Sequence, residues 1–439
     1  MPHERKPENP NSTPPDSGGV ESLVEHFFRH QSGKLVSRLT RYFGVGRMEM
    51  AEDVVQETLL QALRNWSYHG VPDHPAAWLH RVAMNRALDI VRREIKLRAK
   101  TVDIAAEVYR EEAFRPEITL LEAIEDDQLR MMFTCCHPAI PEHSQIALTL
   151  KTLCGFSVPE IARAFLSEEA TVAQRLVRAK RLLRERNVAF DVPASGELKA
   201  RLAPVLRVLY LLFNEGYSAR EGEDLIRHDL CQEAVRLAVL VAEHPEVGLP
   251  EARALLALML LQSSRLDVRL DEGGNLLLLA EQNRALWDEA LIQKGLAWLD
   301  RSAEGSEISA YHLEAEIAAH HAVAESFDAT DWQAILTAYD ELLKRTGSPV
   351  VAINRAVALG MAYGPQEAIA SLEQLRKSKS LRTYHLLFAS LGHFYEAAGN
   401  LKMAGECYME ARRLTASPVE IRFLDRAILR IQNEDLKKQ

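Results

Sequence analysis

Residues 157–186 read Ser157-Val-Pro-Glu-Ile-Ala-Arg-Ala-Phe-Leu-Ser167-Glu-Glu-Ala-Thr171-Val-Ala-Gln-Arg-Leu-Val-Arg-Ala-Lys180-Arg-Leu-Leu-Arg-Glu-Arg186, a helix, a short polar break and a second, basic helix. That order is the layout of a helix-turn-helix, whose second helix enters the major groove of a duplex. Ser157 with Glu160 three residues on forms a capping box, and Pro159 suits a first helical turn. Ile161, Ala162, Phe165 and Leu166 recur at helical spacing and make one apolar face. Ser167 breaks the run and is placed to cap the next helix, with Glu168 and Glu169 at the positive end of its dipole. Val172, Leu176, Ala179 and Leu183 form that helix's inward stripe. Gln174, Arg175, Arg178, Lys180, Arg181 and Arg184 take most of the remaining surface. An ordinary solvated basic helix has the same look, so this stretch alone leaves the choice open.

The rest of the chain narrows it. With 439 residues the sequence has room for two or three domains. Ala and Leu dominate while Gly, Pro and aromatics are modest, which predicts an all-α protein. The net charge of -9 looks wrong for a nucleic-acid binder, but it is unevenly spread. Residues 1–193 carry 26 basic and 27 acidic side chains, whereas the remainder carries 27 and 35. An acidic C-terminal part makes few phosphate contacts. Residues 1–19 are polar and rich in Pro, Asn and Ser, and read as a disordered tail and not as a signal peptide. No apolar run reaches membrane-spanning length, and the odd count of five cysteines suits a reducing cytoplasm.

Upstream, three helices are expected at Glu21–Phe43, Ala51–Asn65 and Pro75–Lys100. In the second, Val54, Val55, Thr58, Leu59 and Leu63 fit an inward face, and Glu52, Asp53, Gln56 and Glu57 give an acidic edge. That edge is either dipole compensation or a docking surface for a basic partner. The third turns basic: from Arg81 to Lys100 there are seven basic residues against Asp89 and Glu94. Between them, Trp66-Ser-Tyr-His-Gly-Val-Pro-Asp-His-Pro75 reads as an aromatic loop. Aromatic rings beside a basic helix suit unpaired bases, although Trp66 and Trp78 equally fit the role of core anchors.

The order of these elements is more specific than any one of them. The strings Ala51-Glu-Asp-Val-Val-Gln-Glu-Thr, Ala77-Trp-Leu-His-Arg-Val-Ala-Met-Asn-Arg-Ala-Leu-Asp-Ile-Val-Arg-Arg, and Glu160-Ile-Ala followed by Thr171-Val-Ala-Gln-Arg-Leu-Val-Arg-Ala-Lys stand in sequence over roughly residues 20–190. In this order the chain resembles the bacterial RNA polymerase sigma factors of the extracytoplasmic function class. The resemblance implies a region-two bundle at 20–100, an acidic linker at 101–128 and a region-four helix-turn-helix domain at 129–193. It implies that Glu52, Asp53, Gln56 and Glu57 bind core RNA polymerase. It assigns the −10 element to Trp66, Tyr68, His69, Trp78, Asn85, Arg86, Arg92 and Arg93. It assigns the −35 element to Thr171, Gln174, Arg175, Arg178, Lys180 and Arg181. Arg and Gln at 175 and 174 suit base edges, since Arg pairs with guanine and Gln with adenine, while Arg178, Lys180 and Arg181 suit phosphates. Asp89 reads first as an internal ion-pair partner.

Cys135, Cys136 and His137 could supply soft ligands, but adjacent cysteines are awkward for a structural zinc site and a packed apolar pair is favoured. No cofactor, metal or catalytic group is expected, and the chain is not read as an enzyme. The last part, residues 194–439, reads as a helical domain. His385–Arg413 fits a tetratricopeptide pattern through Phe388, Leu391, Gly392, Tyr395, Ala404, Tyr408 and Ala411, with a weaker copy at Ala356, Leu359, Ala368 and Leu372. Repeats are expected near 330–420, as an α-solenoid able to take a peptide or protein ligand. Asp271-Glu-Gly-Gly-Asn275 reads as a turn, and the polar residues after it fit either a pocket lining or contacts between helices. A helix-turn-helix regulator with a tetratricopeptide sensor, and a plain helical scaffold, remain the competing readings; neither accounts for Ala51–Arg93.

Overall fold

A computed structural model describes residues 31–99, 118–164, 167–193, 195–217, 228–305 and 307–438. The tail at 1–19, the first part of the helix expected from Glu21, residues 101–117 of the acidic stretch, and Phe165 with Leu166 lie outside them. Among the described residues every regular element is a helix, apart from a single antiparallel bridge between Leu270 and Leu276.

The chain divides into two units. One comprises Met1–Ile161 with Glu168–Pro193, and the other Ala162–Ser167 with Ala194–Gln439. In the first unit lie α1 (31–43), α2 (Met48–His69), α3 (Pro75–Ala99), α4 (Ile118–Cys135), α5 (Glu142–Thr152), the start of α6 (Val158–Ala164) and α7 (Glu169–Glu185). Helix α2 buries Ala51, Val54, Val55, Thr58, Ala62 and Trp66, which fall on one side of a 3.6-residue helix. Leu63, expected inward, is exposed, because Ala62 and Trp66 already complete that stripe. Each large apolar side chain so buried contributes roughly 1.5–3 kcal/mol. Helix α2 also runs one turn further than expected, stopping where Gly70 takes φ 79°, a backbone that L side chains rarely adopt. Trp66, Tyr68 and His69 are therefore its last turn, and the loop shortens to 70–74.

Helix α4 begins inside the stretch read as linker. Asp127, within that stretch, is fully buried and accepts from Arg38 at 3.0 Å, Arg41 at 3.1 Å and Arg130 at 3.2 Å. Three guanidinium groups compensate a carboxylate that would otherwise be costly to bury. Cys135 and Cys136 pack inside the unit, with Cys135 Sγ 3.2 Å from the Thr152 hydroxyl, and burial drives the Cys135 thiol pKa upward. Among the described residues no group of three or more His, Cys, Asp or Glu side chains is placed to hold a metal ion.

The second unit continues as α8 (Ser195–Tyr217), α9 (His228–Glu243), α10 (Pro250–Ser263), α11 (Glu289–Ser302), α12 (Ala310–Val323), α13 (Trp332–Thr346), α14 (Pro349–Tyr363), α15 (Pro365–Leu375), α16 (His385–Ala397), α17 (Leu401–Leu414) and α18 (Pro418–Lys438). Successive helices pack as hairpins: α8 on α9, α10 on α11, α13 on α14 and α16 on α17. Side-chain caps set several starts, from Asp288, Asp331, Ser348 and Asn400. Gly392 lets α16 approach α17 closely, since a Cβ there would stand 2.7 Å from the Tyr408 ring. Asp271 closes the expected turn by accepting from the Gly273 and Asn275 amides at 2.9 and 2.8 Å. The polar residues after it make contacts between helices: Arg284 donates to the carbonyls of His321 and Ala324.

Candidate nucleic-acid interface

The capping box forms as read. The Ser157 amide donates to Glu160 Oε2 at 2.7 Å, and the Glu160 amide donates to Ser157 Oγ at 3.3 Å. The break is shifted by one residue: Glu168 and not Ser167 is the N-cap of α7, and no side-chain cap bond forms there. Val172, Leu176, Ala179 and Leu183 are buried and set the roll of α7. That roll leaves Gln174, Arg178 and Arg181 exposed, with Thr171 and Arg175 half-buried on the flank. Arg181 lies 3.6 Å from Glu185, a loose pair that costs little to break.

Lys180 differs from its neighbours. It is not on the outward face but pairs with Glu52 of α2 at 2.6 Å, the two side chains being 14 % and 13 % exposed. The same helix roll that buries Leu176 and Ala179 turns position 180 toward α2. Val177, which sequence reasoning passed over, is 60 % exposed among Gln174, Arg178 and Arg181. An exposed β-branched side chain between basic and amide groups can meet a thymine methyl. The signal was present, since Val177 lies off the buried stripe.

On α3, burial of Leu79, Ala83 and Ala87 leaves Arg81, Asn85, Arg86, Asp89, Arg92, Arg93 and Lys96 exposed. Asp89 takes the internal pairing expected of it, with Arg92 at 3.6 Å, and Arg86 pairs with Glu57 of α2. Both pairs are substantially exposed, so solvent screens them and DNA phosphates can compete. Of the aromatic residues, Trp66 is 8 % exposed and its ring lies 5.7 Å from that of half-buried Trp78. Trp66 thus packs into the interior in the manner of a core anchor. Tyr68, at 87 % exposed beside exposed His69, has a ring open to stack on a base.

The outer face of α2 carries Asp53, Gln56 and Glu57, as read, together with Leu60 and Leu63. Residues 53, 56, 57, 60 and 63 share one stripe of a helix. An exposed strip of carboxylates and leucines suits a protein surface more than a nucleic acid. Leu60 was not singled out by sequence reasoning, and Leu63 was assigned inward.

Comparison with known proteins gives three family matches. Residues 27–96 match Sigma-70 region 2, residues 130–183 match Sigma-70 region 4, and residues 201–303 match a family of unknown function, DUF6596. An uncharacterized protein of Rhizobium meliloti is 37 % identical over 403 residues, covering 87 % of this chain and 94 % of its own length. The ECF RNA polymerase sigma-E factor of Escherichia coli is 30 % identical over 150 residues, 34 % of this chain and 77 % of that protein. The ECF RNA polymerase sigma-E factor of Haemophilus influenzae is 29 % identical over 160 residues, 35 % of this chain and 82 % of that protein. No solved structure matches.

Proposed function

The chain belongs to the sigma factors of the extracytoplasmic function class, acting in transcription initiation through core RNA polymerase and promoter DNA, and on that premise we propose how its faces divide the work. Asp53, Gln56, Glu57, Leu60 and Leu63 on α2 dock core polymerase, with Glu52 at the flank of that strip. Tyr68, His69 and the loop at 70–74, with Asn85, Arg86, Arg92 and Arg93 on α3, take the −10 element. Arg92 and Arg93 hold phosphates, while Tyr68 stacks on an unpaired base. Gln174 and Arg175 of α7 read base edges of the −35 element, Val177 meets a methyl group, and Arg178 and Arg181 hold phosphates. The observation carrying this division is the separation of surface chemistry: an acidic-leucine strip on α2, and basic strips on α3 and α7.

Residues 194–439 act as a fused regulatory domain of tetratricopeptide-like helix hairpins, and a peptide or protein is the ligand such arrays take. The close fit of Gly392 against Tyr408, and the buried Ala404 and Ala411, support that reading. No helix among the described residues is long and apolar enough to cross a membrane.

One experiment tests both parts. The full chain and a version ending after Pro193 are each added to purified core polymerase with a promoter library, and transcript starts are mapped. Promoter-dependent transcripts from the full chain are expected, and their absence would reject the assigned faces. A regulatory C-terminal domain changes transcript yield on truncation in either direction; equal yields under all conditions would remove that role.

A further inference from the structure

The stretch joining α10 to α11, residues 264–288, is long for a connection inside a packed helical unit, and connections of that length usually carry function. Arg265 and Arg269 of this stretch both lie over the ring of Tyr217 at the end of α8, their guanidinium carbons 5.6 and 3.9 Å from its centroid. Arg284 lies 4.9 Å over the Trp287 ring. It donates to the carbonyls of His321 and Ala324, at the end of α12, and to the Thr330 hydroxyl at 3.2 Å. The Asp288 amide donates to the Ser264 carbonyl at 2.8 Å, so the two ends of the stretch close beside Arg265. Most of these residues fall in the part of the chain, 201–303, that matches a family of unknown function.

Arg265 is the common neighbour of these groups. Burial first, and also the charge of Arg265, disfavour the cationic forms of Arg269, Arg284 and His321. The His321 pKa falls to about 3 in this way, with Arg284 adding to the effect. Among the described residues no carboxylate forms a salt bridge with Arg265, Arg269 or Arg284: Arg265 donates to Gln262 at 3.3 Å, and Arg269 to the Tyr217 carbonyl. Around Asp127 three guanidinium groups share one carboxylate, whereas here no side chain supplies the counter-charge. The same place gathers buried polar atoms with no hydrogen-bond partner in the protein: the Tyr217 hydroxyl, Gln282 Oε1, Arg284 Nε, Trp287 Nε1 and His321 Nδ1. Arg269, Gln282 and Trp287 are only 9, 8 and 6 % exposed. Buried polar groups are costly unless something pairs them. All of these atoms except Gln282 Oε1 are, or can be, donors. A negatively charged acceptor therefore answers both the unpaired donors and the surplus positive charge.

We propose that Tyr217, Arg265, Arg269, Arg284 and Trp287 form a binding site for the oxyanion group of a small molecule, a carboxylate or a phosphate. Arg265, half-buried and engaged only through a long contact to Gln262, offers its planar fork to two oxygens. Arg284 Nε and Trp287 Nε1 donate beside it, and Gln282 Oε1 accepts any proton that the group retains. Donors this far out of solvent are reached by a compact anion and not by the surface of a folded partner. Binding also fastens α8 and α12 to residues 264–288, because Tyr217 and His321 stand on those helices. The site gives the unit proposed as regulatory a small-molecule input, but the binding itself does not rest on that reading.

The test titrates the full chain with inorganic phosphate and, separately, with succinate, by calorimetry and by thermal unfolding against sodium chloride of equal ionic strength. Saturable heat and a raised melting temperature are expected with at least one of the two. Binding of phosphate alone assigns a phosphoryl ligand, and of succinate alone a carboxylate; either supports the site. Arg265→Ala should weaken that binding by about tenfold or more, since it removes a charge-assisted pair of hydrogen bonds. Arg265→Lys guards against misfolding of the first variant: it keeps the charge but not the fork, and should weaken binding by a smaller factor. Arg382→Ala, at an exposed position outside the cluster, removes the same charge and should leave binding unchanged. The proposal is overturned if neither ion binds saturably below about 10 mM, or if both Arg265 variants bind as the wild type does. Equal losses from Arg382→Ala and Arg265→Ala overturn it too, because they reduce the effect to overall charge. Binding of a poly-glutamate peptide without binding of either ion also overturns it and places a polypeptide there instead. Transcript yield enters none of these measurements, so the site and the regulatory role of residues 194–439 can fail separately.

Discussion

Carboxylates held from distant segments are answered differently in the two units of this protein, while Glu233 of the second unit is buried beside Arg236 of its own helix. In the N-terminal unit such carboxylates are answered by cations from distant segments: Asp127 by Arg38 and Arg41, with Arg130 of its own helix beside them, and Glu52 by Lys180. In the C-terminal unit Glu314 on α12 has the Tyr210 hydroxyl of α8 donating to it at 2.9 Å. Burial pushes the Glu314 carboxyl up to about 7, and the Tyr210 hydrogen bond pulls it only partly back. The packing follows the same division. The C-terminal unit is a run of neighbouring hairpins such as α16–α17, stabilised by apolar faces close in sequence. The N-terminal unit adds to its apolar core ion pairs across 86 to 128 residues. Charge pairs of that kind can be exchanged for a partner's charges, whereas an apolar hairpin cannot.

The comparison can be broken most sharply at Asp127. Asp127→Ala leaves three guanidinium groups around an emptied site and should cost about 3–5 kcal/mol in the N-terminal unit, read by denaturant unfolding. A loss below about 1 kcal/mol would mean that the distant ion pairs do not hold this unit together.

A smaller effect is expected at Glu314, and its sign is fixed by linkage. The folded-state value is raised above the ordinary 4.5, so the folded protein holds the proton more tightly than the unfolded chain. Its contribution is full below about pH 4.5 and is lost as pH rises toward 7. The C-terminal unit should therefore weaken across that window by on the order of 2 kcal/mol, allowing for partial solvent screening. Glu314→Gln should flatten the slope in thermal unfolding at a series of pH values; an unchanged slope assigns it to other groups.

The smallest effect belongs to the hairpin packing. Gly392→Ala forces a methyl against the Tyr408 ring and should cost about 1–2 kcal/mol, confined to the C-terminal unit. Loss of protection in hydrogen exchange at α16 and α17, with α2 and α3 unchanged, is the expected pattern. Equal loss in both units would show that they do not unfold separately.

Much of the site was legible because helix periodicity makes burial predictable. The stripe Val172, Leu176, Ala179 and Leu183 fixes which side of α7 faces out, and the same logic exposes Asn85, Arg86, Arg92 and Arg93 on α3. Where the reading missed, the reason lies in competition between residues for the same interior. Leu63 fits an inward pattern, but Ala62 and Trp66 occupy that face. Trp66 suits a stacking platform by type, yet Trp78 is positioned to cover it. Asp127 looked like one more acid in an acidic run until α1 brought two arginines to it.

Sequence by itself determined the helical class, the capping box at Ser157 and Glu160, the buried stripes and the resemblance to sigma factors. These are local properties, set by side-chain periodicity and by hydrogen bonds spanning a few residues. Only the tertiary structure decided that Lys180 turns away from the exposed basic face of α7 to meet Glu52, and that Asp127 is a core residue. Such pairings depend on how helices a hundred residues apart are brought together, and a charge's partner across that distance leaves no periodic trace in the chain.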